Sequence, residues 1–451
     1  MQLGRNIEIN ARGHLEIGGC DTVKLARRFG TPLYVVDEGL VRERCREYQR
    51  SLAACWPDFR VAYAGKAFLT MAMCRIMDEE DMWLDVVSGG ELYTAVKAGF
   101  PPQRILFHGN NKSADELSLA LEVGVGRFVC DNFHELQVLA RLARRAHARP
   151  RVMLRVAPGV DTHTHDYVRT GQVDSKFGFT VGNWDAMVAA QWVLDEPAMV
   201  LTGLHSHIGS QLLDTAAFEL EAQAMAELVD EIKQETGYQV EELNLGGGLG
   251  ISYTGQEAPP EVGQYVRALT GVLEKSLDQA GLKRPRLYLE PGRSIVGEAG
   301  TTLYTIGAIK HIPGVRTYAM VDGGMVDNPR PALYGAKYRA VVANRARARS
   351  NQVVSIAGKC CESGDMLIWD LAVPRIRPGD VLAVFCTGAY NYSMASNYNR
   401  LPRPAAVLVG QGEADLIIAR ERYADLVACD RVPDRLAAGR MPVAAGEGSS
   451  S

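Results

Sequence analysis

Residues 83–130 read WLDVVSGGELYTAVKAGFPPQRILFHGNNKSADELSLALEVGVGRFVC. Three short β-rich runs stand out, WLDVV (83–87), RILF (104–107) and RFVC (127–130). Between them lie two helix-like segments, ELYTAVKAG and SADELSLALEVG. The second opens on Ser113, whose hydroxyl can cap free backbone N–H groups, and the two end at Gly99 and Gly124. Strands alternating with helices at this spacing predict βαβ units and a parallel sheet.

The rhythm continues in both directions. RVAYA (60–64) precedes the stretch. RVMLRV (151–156), LTGLHSH (201–207), ELNLGG (242–247) and RLYLE (286–290) follow it. NFHELQVLARLARRAHA, with Asn132 as its cap, supplies a further helix. Eight β-then-α units in about 250 residues predict a (β/α)8 barrel over residues 38–298. An open doubly wound sheet is the alternative arrangement of the same units.

After Glu290 the texture changes. TTLYTIGAIKHI, TYAMVD, YRAVVAN, NQVVSIAG, DMLIWDLAV, DVLAVFC, RPAAVLVG and ADLIIAR are β-branched runs bounded by Gly, Pro, Asp or Asn. They predict a second domain over 299–432, an antiparallel β-sandwich or β-barrel. IEINARGHLEIGG reads as a hairpin that joins this sheet, so residues 1–37 give the domain its N-terminal strands. Residues 433–451, ending GEGSSS, read as a flexible tail.

Composition narrows the function. A chain of 451 residues is long enough for two or three domains. Its 47% hydrophobic and 23% charged residues are those of a globular protein, not a disordered one. A net charge of −4 gives no electrostatic case for nonspecific nucleic-acid or membrane-surface binding. No stretch approaches the ~18 apolar residues of a membrane helix. The opening MQLGRNIEINARGHLEIGG has no apolar signal-peptide core, and the nine cysteines are scattered, odd in number and without CxxC spacing. A reducing cytoplasm, no disulfide framework and no structural zinc are therefore expected.

A barrel of this kind carries its chemistry where the strands end. Reading those ends gives Lys66, Asp85 with Ser88, His108 with Asn110, and Arg155. His205 and His207 follow, then Gly209-Ser210, the turn Gly246-Gly247-Gly248-Leu249-Gly250, and Glu290 with Pro291-Gly292-Arg293. Lys66 lies between Gly65 and Ala67. It is either a snorkelling surface lysine or one whose pKa burial lowers, able to form a Schiff base. The glycine turn can cradle a phosphate, although it lacks the GxGxxG spacing of a dinucleotide fold. Gly292 and Arg293 offer a second turn and a cation. Glu290 is either a buried ion-pair partner or a carboxylate that keeps a pyridine nitrogen protonated. His207 is either a core histidine or a face for a cofactor ring. Asp161-Thr162-His163-Thr164-His165-Asp166 resembles a chelating segment, but no third ligand has fitting spacing, and no metal is expected.

At these residues the chain resembles the fold-type III pyridoxal-phosphate decarboxylases and, among them, the diaminopimelate decarboxylase family. The resemblance runs from Thr31-Pro32-Leu33-Tyr34 to about Tyr423. AYAGKAF (62–68) resembles the family's cofactor-lysine motif, and residues 158–179, PGVDTHTHDYVRTGQVDSKFGF, are the most subfamily-specific stretch. HSHIGSQ, LNLGGGLGI and EPGRSIV fit the phosphate and ring segments. VDGGMVDNPRPALYGA, KCCESGD and GAYNYSMASNYN fit segments of the β domain.

The resemblance implies roles residue by residue. Lys66 carries pyridoxal 5'-phosphate as a Schiff base, His207 stacks on its ring and Glu290 meets the ring nitrogen. Ser210, Gly247, Gly248, Gly292 and Arg293 hold the phosphate, and Asp85, Arg155 and Tyr390 complete the cofactor site. Arg293, Arg330, Tyr334, Glu362 and Tyr390 contact the substrate. Cys361 and Glu362 enter from the second subunit of a homodimer whose active sites are shared, and Cys361 or Lys66 returns a proton to the carbanion. The implied reaction converts meso-2,6-diaminopimelate to L-lysine and CO2. Arg330 suits a distal carboxylate, where an ornithine decarboxylase would want acidic residues. Ala157 departs from the asparagine expected there, and Cys360 has no assigned role.

Other readings remain at this stage. The chain could decarboxylate carboxynorspermidine, ornithine, lysine or arginine, or serve secondary metabolism. It could be a racemase, a cofactor-binding paralogue without turnover, or a metal-dependent hydrolase built on His163, His165, His205 and His207.

Overall fold

The chain begins in the β domain. The computed structural model describes residues 6–160 and 175–437. Strands β1 (Ile7–Ile9) and β2 (Leu15–Ile17) form the predicted hairpin, antiparallel with Ile7 opposite Ile17. The hairpin does not join the large sheet. It pairs with the two-residue β3 (Cys20–Asp21) in a small sheet of its own and packs Leu15, Ile17 and Cys20 against the β-domain core. The strand that does join the large sheet is β4 (Leu33–Asp37), buried along its whole length.

The barrel strands follow at the eight predicted places. They are β5 (Phe59–Ala64), β6 (Trp83–Val86), β7 (Ile105–Phe107), β8 (Arg127–Cys130) and β9 (Arg151–Ala157). A two-residue β10 (Phe179–Thr180) lies beside β9. Then come β11 (Val200–His205), β12 (Glu242–Asn244) and β13 (Arg286–Leu289). All pair in parallel in the order β9-β11-β12-β13-β5-β6-β7-β8, and β8 pairs with β9 to close the ring. That last pairing makes the sheet a barrel and excludes the open doubly wound alternative. The helix Ala114–Val123 has the capping box of Ser113 and Glu116 and stops at Gly124, whose φ is 76°. Asn132 caps the helix Phe133–Ala146.

Side chains alternate along a strand, so every second residue faces into the ring. Ala62, Leu106, Val129, Met153 and Tyr288 come from five different strands and form one buried cluster, separate from the core beneath the helices. Two residues earlier in the same phase lie Arg127 and Arg286, with Glu242 on β12. Arg127 donates Nε and Nη2 to the two Glu242 oxygens at 2.6 and 2.5 Å, and Tyr288 Oη and Arg286 Nη1 reach the same carboxylate at 3.3 Å. This pair plugs the end of the barrel where the strands begin.

The β domain is organised by β14 (Gly300–Ile312). It is followed by β15 (Arg316–Val321), β16 (Ala340–Val342), β17 (Gln352–Ala357), β18 (Met366–Val373), β19 (Val381–Phe385), β20 (Ala405–Gly410) and β21 (Glu413–Ile418). The order is β18-β17-β15-β14-β4-β20-β21, with β19 joining β14 to β16. Most pairs are antiparallel as expected, but β15–β17 and β4–β20 are parallel. Both of these join strands far apart in sequence, which frees them from the reversal that a tight turn imposes. Of the predicted tail, residues 434–437 form a helical turn, and residues 438–451 lie outside the described residues. Among the described residues, no helix is long and apolar enough to cross a membrane.

Removing one member of a buried ion pair leaves the other uncompensated. Arg127→Met is expected to cost roughly 3–5 kcal/mol of stability, since it removes the bidentate partner of Glu242 and leaves that buried carboxylate the longer contacts of Arg286 and Tyr288. Urea unfolding measures this, and a loss below about 1 kcal/mol would contradict the plug.

Candidate active site

The same two-residue phase that builds the plug builds the opposite mouth. Two residues beyond Leu106, Val129, Met153 and Tyr288 come His108, Asp131, Arg155 and Glu290. Asp85 and His205, also buried, stand at the ends of β6 and β11. These strand ends open onto a cavity of about 480 Å³ whose lining includes Lys66, His108, Arg155, His205, His207, Ser210, Glu290, Arg293, Arg330, Tyr334 and Tyr390. A smaller recess beside it is walled by Gly247, Gly248 and Gly292 together with Ser210 and Arg293.

Lys66 sits on the helical turn Gly65–Ala67 that follows β5. Its Nζ is 3.8 Å from Asp85 Oδ2. Burial is the largest influence and pushes the ammonium pKa down, as the sequence suggests, but Asp85, with Tyr390 and Glu290 behind it, more than offsets burial and the net direction is up. The expectation of a lowered lysine therefore fails, because it overlooked the facing carboxylate. Asp85 itself is 1% exposed, and neither of its oxygens has a hydrogen-bond partner among the described residues. Burial raises its pKa, against the pull of His108 and Lys66.

Glu290 has three donors around it. His108 Nε2 lies 2.8 Å from Oε1, Asn244 Nδ2 donates to Oε1 at 2.7 Å, and His205 Nε2 lies 3.0 Å from Oε2. Burial raises the carboxyl pKa, but the two histidines more than offset it and hold the group well below the usual carboxylate range. Burial pushes His205 down to about 3. His207 also falls well below its ordinary value, through burial and then Lys66. Both rings are therefore neutral near pH 7. Gly247 N–H donates to His207 Nδ1 at 3.4 Å, which leaves the ring hydrogen on Nε2.

The glycine turn has a packing reason as well as a chemical one. A Cβ on Gly247 would lie 2.2 Å from the Glu290 carbonyl oxygen. Gly248 has φ +128°, and a Cβ there would lie 2.7 Å from the Gly209 carbonyl oxygen. Arg293 donates to Ser210 Oγ from Nη2 at 2.9 Å and also to the Tyr253 hydroxyl. Its guanidinium lies 4.8 Å from the centre of the Tyr390 ring. Arg330 donates Nε to Tyr338 Oη at 3.0 Å and lies 5.4 Å from the Tyr334 ring. Tyr390 reaches the mouth from the β domain, and its N–H donates to the Ala67 carbonyl at 2.9 Å.

Cys361 and Glu362 do not join this cavity. Both are exposed, and the Cys361 N–H donates to Asn399 Oδ1. His163 and His165 lie outside the described residues. Sequence reasoning placed His108 and His205 at strand ends but gave them no part in holding Glu290, and it missed Asn244 and Tyr253 altogether. Strand phase is the signal that could have found the first two, since both point inward beside Glu290. His108, His205 and Glu290 bring ligand atoms within 4.8 Å, a spacing open to a divalent cation. The hydrogen bonds between them satisfy the same atoms without one.

The residues fit pyridoxal phosphate. A buried carboxylate with no hydrogen-bond partner among the described residues stands beside Lys66, and a second, ionised carboxylate faces the cavity. An arginine, a serine and glycine turns wall the smaller recess. These match an aldehyde, a ring nitrogen and a phosphate respectively.

Comparison with known proteins agrees. The family described as "Pyridoxal-dependent decarboxylase, pyridoxal binding domain" matches residues 38–297. The barrel, the β domain and the lysine-centred mouth define a pyridoxal-dependent decarboxylase. A diaminopimelate decarboxylase of Bacillus subtilis is 52% identical over 421 residues, 93% of this chain and 96% of that protein. The crystal structure of diaminopimelate decarboxylase from M. jannaschii in complex with L-lysine has TM-score 0.89 and 38% identity, covering 96% of this chain and 99% of that one. A lysine/ornithine decarboxylase of Vibrio vulnificus shares the fold at 19% identity and TM-score 0.72. The chain belongs to the diaminopimelate decarboxylase family.

One buried group behind the site has a measurable cost. Ser206, between the two histidines, donates Oγ to Glu221 Oε1 at 2.6 Å, and burial raises the Glu221 carboxyl to about 8. An acid raised on folding binds its proton more tightly in the native state, so it weakens stability as pH rises from its unfolded value towards 8. Glu221→Gln, which keeps an acceptor for Ser206, is expected to gain on the order of 2–4 kcal/mol at pH 8 relative to pH 5. Urea melts at the two pH values test this. An equal effect at both would show that Glu221 is not held protonated.

Proposed function

We propose that this chain decarboxylates meso-2,6-diaminopimelate to L-lysine and CO2, with pyridoxal 5'-phosphate held on Lys66. The observation that carries the choice of substrate is Arg330. It is 8% exposed, anchored through Nε by Tyr338, and lines the same cavity as Lys66. A guanidinium there matches a distal carboxylate and repels the distal ammonium of ornithine or lysine.

Lys66 would bind the cofactor aldehyde, Glu290 its ring nitrogen and His207 its ring face. Ser210, Gly247, Gly248, Gly292 and Arg293 would hold its phosphate, with Asp85, Arg155 and Tyr390 around it. Bound there, the cofactor supplies an electron sink for the pair left behind by departing CO2. This chain's own groups do the rest. Arg330 and Tyr334 orient the distal end of the substrate, with Arg293 and Tyr390 beside them. Asp85 holds the Lys66 ammonium charged and in place. Either Lys66 or the Cys361 thiol of a second subunit delivers the one proton to the carbon that loses CO2. Glu362 of that subunit would pair with the distal ammonium. Exposure of Cys361 and Glu362 outside this chain's cavity supports a homodimer with shared sites. Nine free cysteines support a cytoplasmic setting.

CO2 release with added pyridoxal phosphate should occur with meso-diaminopimelate and not with L-ornithine, L-lysine, L-arginine or carboxynorspermidine. Release from one of the others instead would remove the role given to Arg330. Silence across the panel with cofactor bound would point to a racemase or another substrate.

Shared sites make a second test possible. Lys66→Ala and Cys361→Ala are each expected to be inactive alone. Mixed after mild dissociation they should recover about a quarter of native activity, because half the dimers then carry one complete site. No recovery from subunits shown to exchange would mean that each subunit completes its own site.

A further inference from the structure

Glu290 is held more tightly than a ring-nitrogen contact requires. A carboxylate offers about four lone-pair positions. Among the described residues, His108, Asn244 and His205 fill three, two on Oε1 and one on Oε2, which leaves one position, on Oε2. The group is 6% exposed and lines the cavity. The two imidazoles pack edge to face with centroids 4.7 Å apart, so each braces the other. To donate through Nε2, each must carry its hydrogen there. His205 does so as a neutral ring, since its buried Nδ1 has no hydrogen-bond partner among the described residues. Each donor stabilises the anion and weakens it as a base. Other charged groups face the same carboxylate. Lys66 and Arg155 act in the same direction as the donors, and Asp85 acts against them. His207 is neutral and adds no charge.

We propose that His108 and His205 are positioning residues that keep Glu290 an anion with one open acceptor position, and so leave the proton on a pyridine nitrogen bound there. The inference rests on the cofactor reading above. A proton between a carboxylate and a pyridine nitrogen stays with the stronger base. With its donors in place, Glu290 is the weaker base and the ring stays cationic. Without them, Glu290 becomes the stronger base and the ring turns neutral.

The test uses holoenzyme loaded with pyridoxal phosphate carrying 15N in its ring, read by NMR at pH 8. The native protein should show a pyridinium nitrogen. His205→Phe and His108→Phe keep a ring in the same space but lose the donor, and their 15N resonance should move towards neutral pyridine. His205→Gln and His108→Gln keep an N–H donor and should stay nearer the native shift. If a Phe variant holds no cofactor, the infrared carboxyl band absent from Glu290→Gln is titrated instead. It should titrate at least about one pH unit higher than in the native apoprotein. An unchanged pyridinium in the Phe variants, equal shifts in Phe and Gln variants, or an unmoved carboxyl would overturn the inference. A neutral ring in native holoenzyme would also overturn it while leaving the cofactor reading intact. Failure of the native protein to take up pyridoxal phosphate would instead remove the cofactor reading.

Discussion

A closed ring of parallel strands has one interior, and each strand places every second residue there. This constraint organises the molecule. The inward positions are apolar at mid-height, where Leu106, Val129, Met153 and Tyr288 meet, and polar at both ends. Two residues either way along a strand separate the apolar layer from Arg127 on one side and from His108, Arg155 or Glu290 on the other. Fold and site are thus products of the same alternation. A one-residue slip in any strand would send its functional side chain into the helices.

The two ends treat buried charge differently. Where the strands begin, Glu242 is met by Arg127, Arg286 and Tyr288. That end is paired, and it serves stability. Where the strands finish, Glu290 is nearly saturated while Asp85 has no hydrogen bond among the described residues. A buried carboxylate without donors is a standing cost, sustained by the cation of Lys66 3.8 Å away. The asymmetry follows the division of labour in barrels of this kind, with chemistry at the strand C-termini and stability at the other face.

Much of this was legible in the residues. β-branched runs separated by capped helices located all eight barrel strands, since parallel strands covered on both faces must be nearly continuous in apolar residues. Strand ends then pointed to Lys66, His207, Ser210, Glu290 and Arg293, and the cavity gathers them. What stayed hidden depends on contacts between distant segments. The direction of the Lys66 shift needs Asp85, nineteen residues away in the chain but opposite it across neighbouring strands. The grip on Glu290 needs three strands at once. The separate N-terminal sheet and the parallel pairing of β4 with β20 are choices of neighbour that no local pattern encodes. Cys361 and Glu362 were reached through resemblance alone, and nothing in their local sequence marks them.

The pairing of β4 also bears on how the protein is made. Leu33–Asp37 is buried end to end between Gly300–Leu303 on one side and Ala405–Val409 on the other. A ribosome therefore releases this apolar strand hundreds of residues before either neighbour exists. The barrel can close in the meantime, because its strands are consecutive and complete by Leu289. The large sheet of the β domain cannot, and its first strand waits as an open edge until the last tenth of the chain emerges. Vectorial synthesis thus leaves LYVVD as the segment of this molecule with the longest exposure to mispairing, and the one on which a chaperone has most to gain.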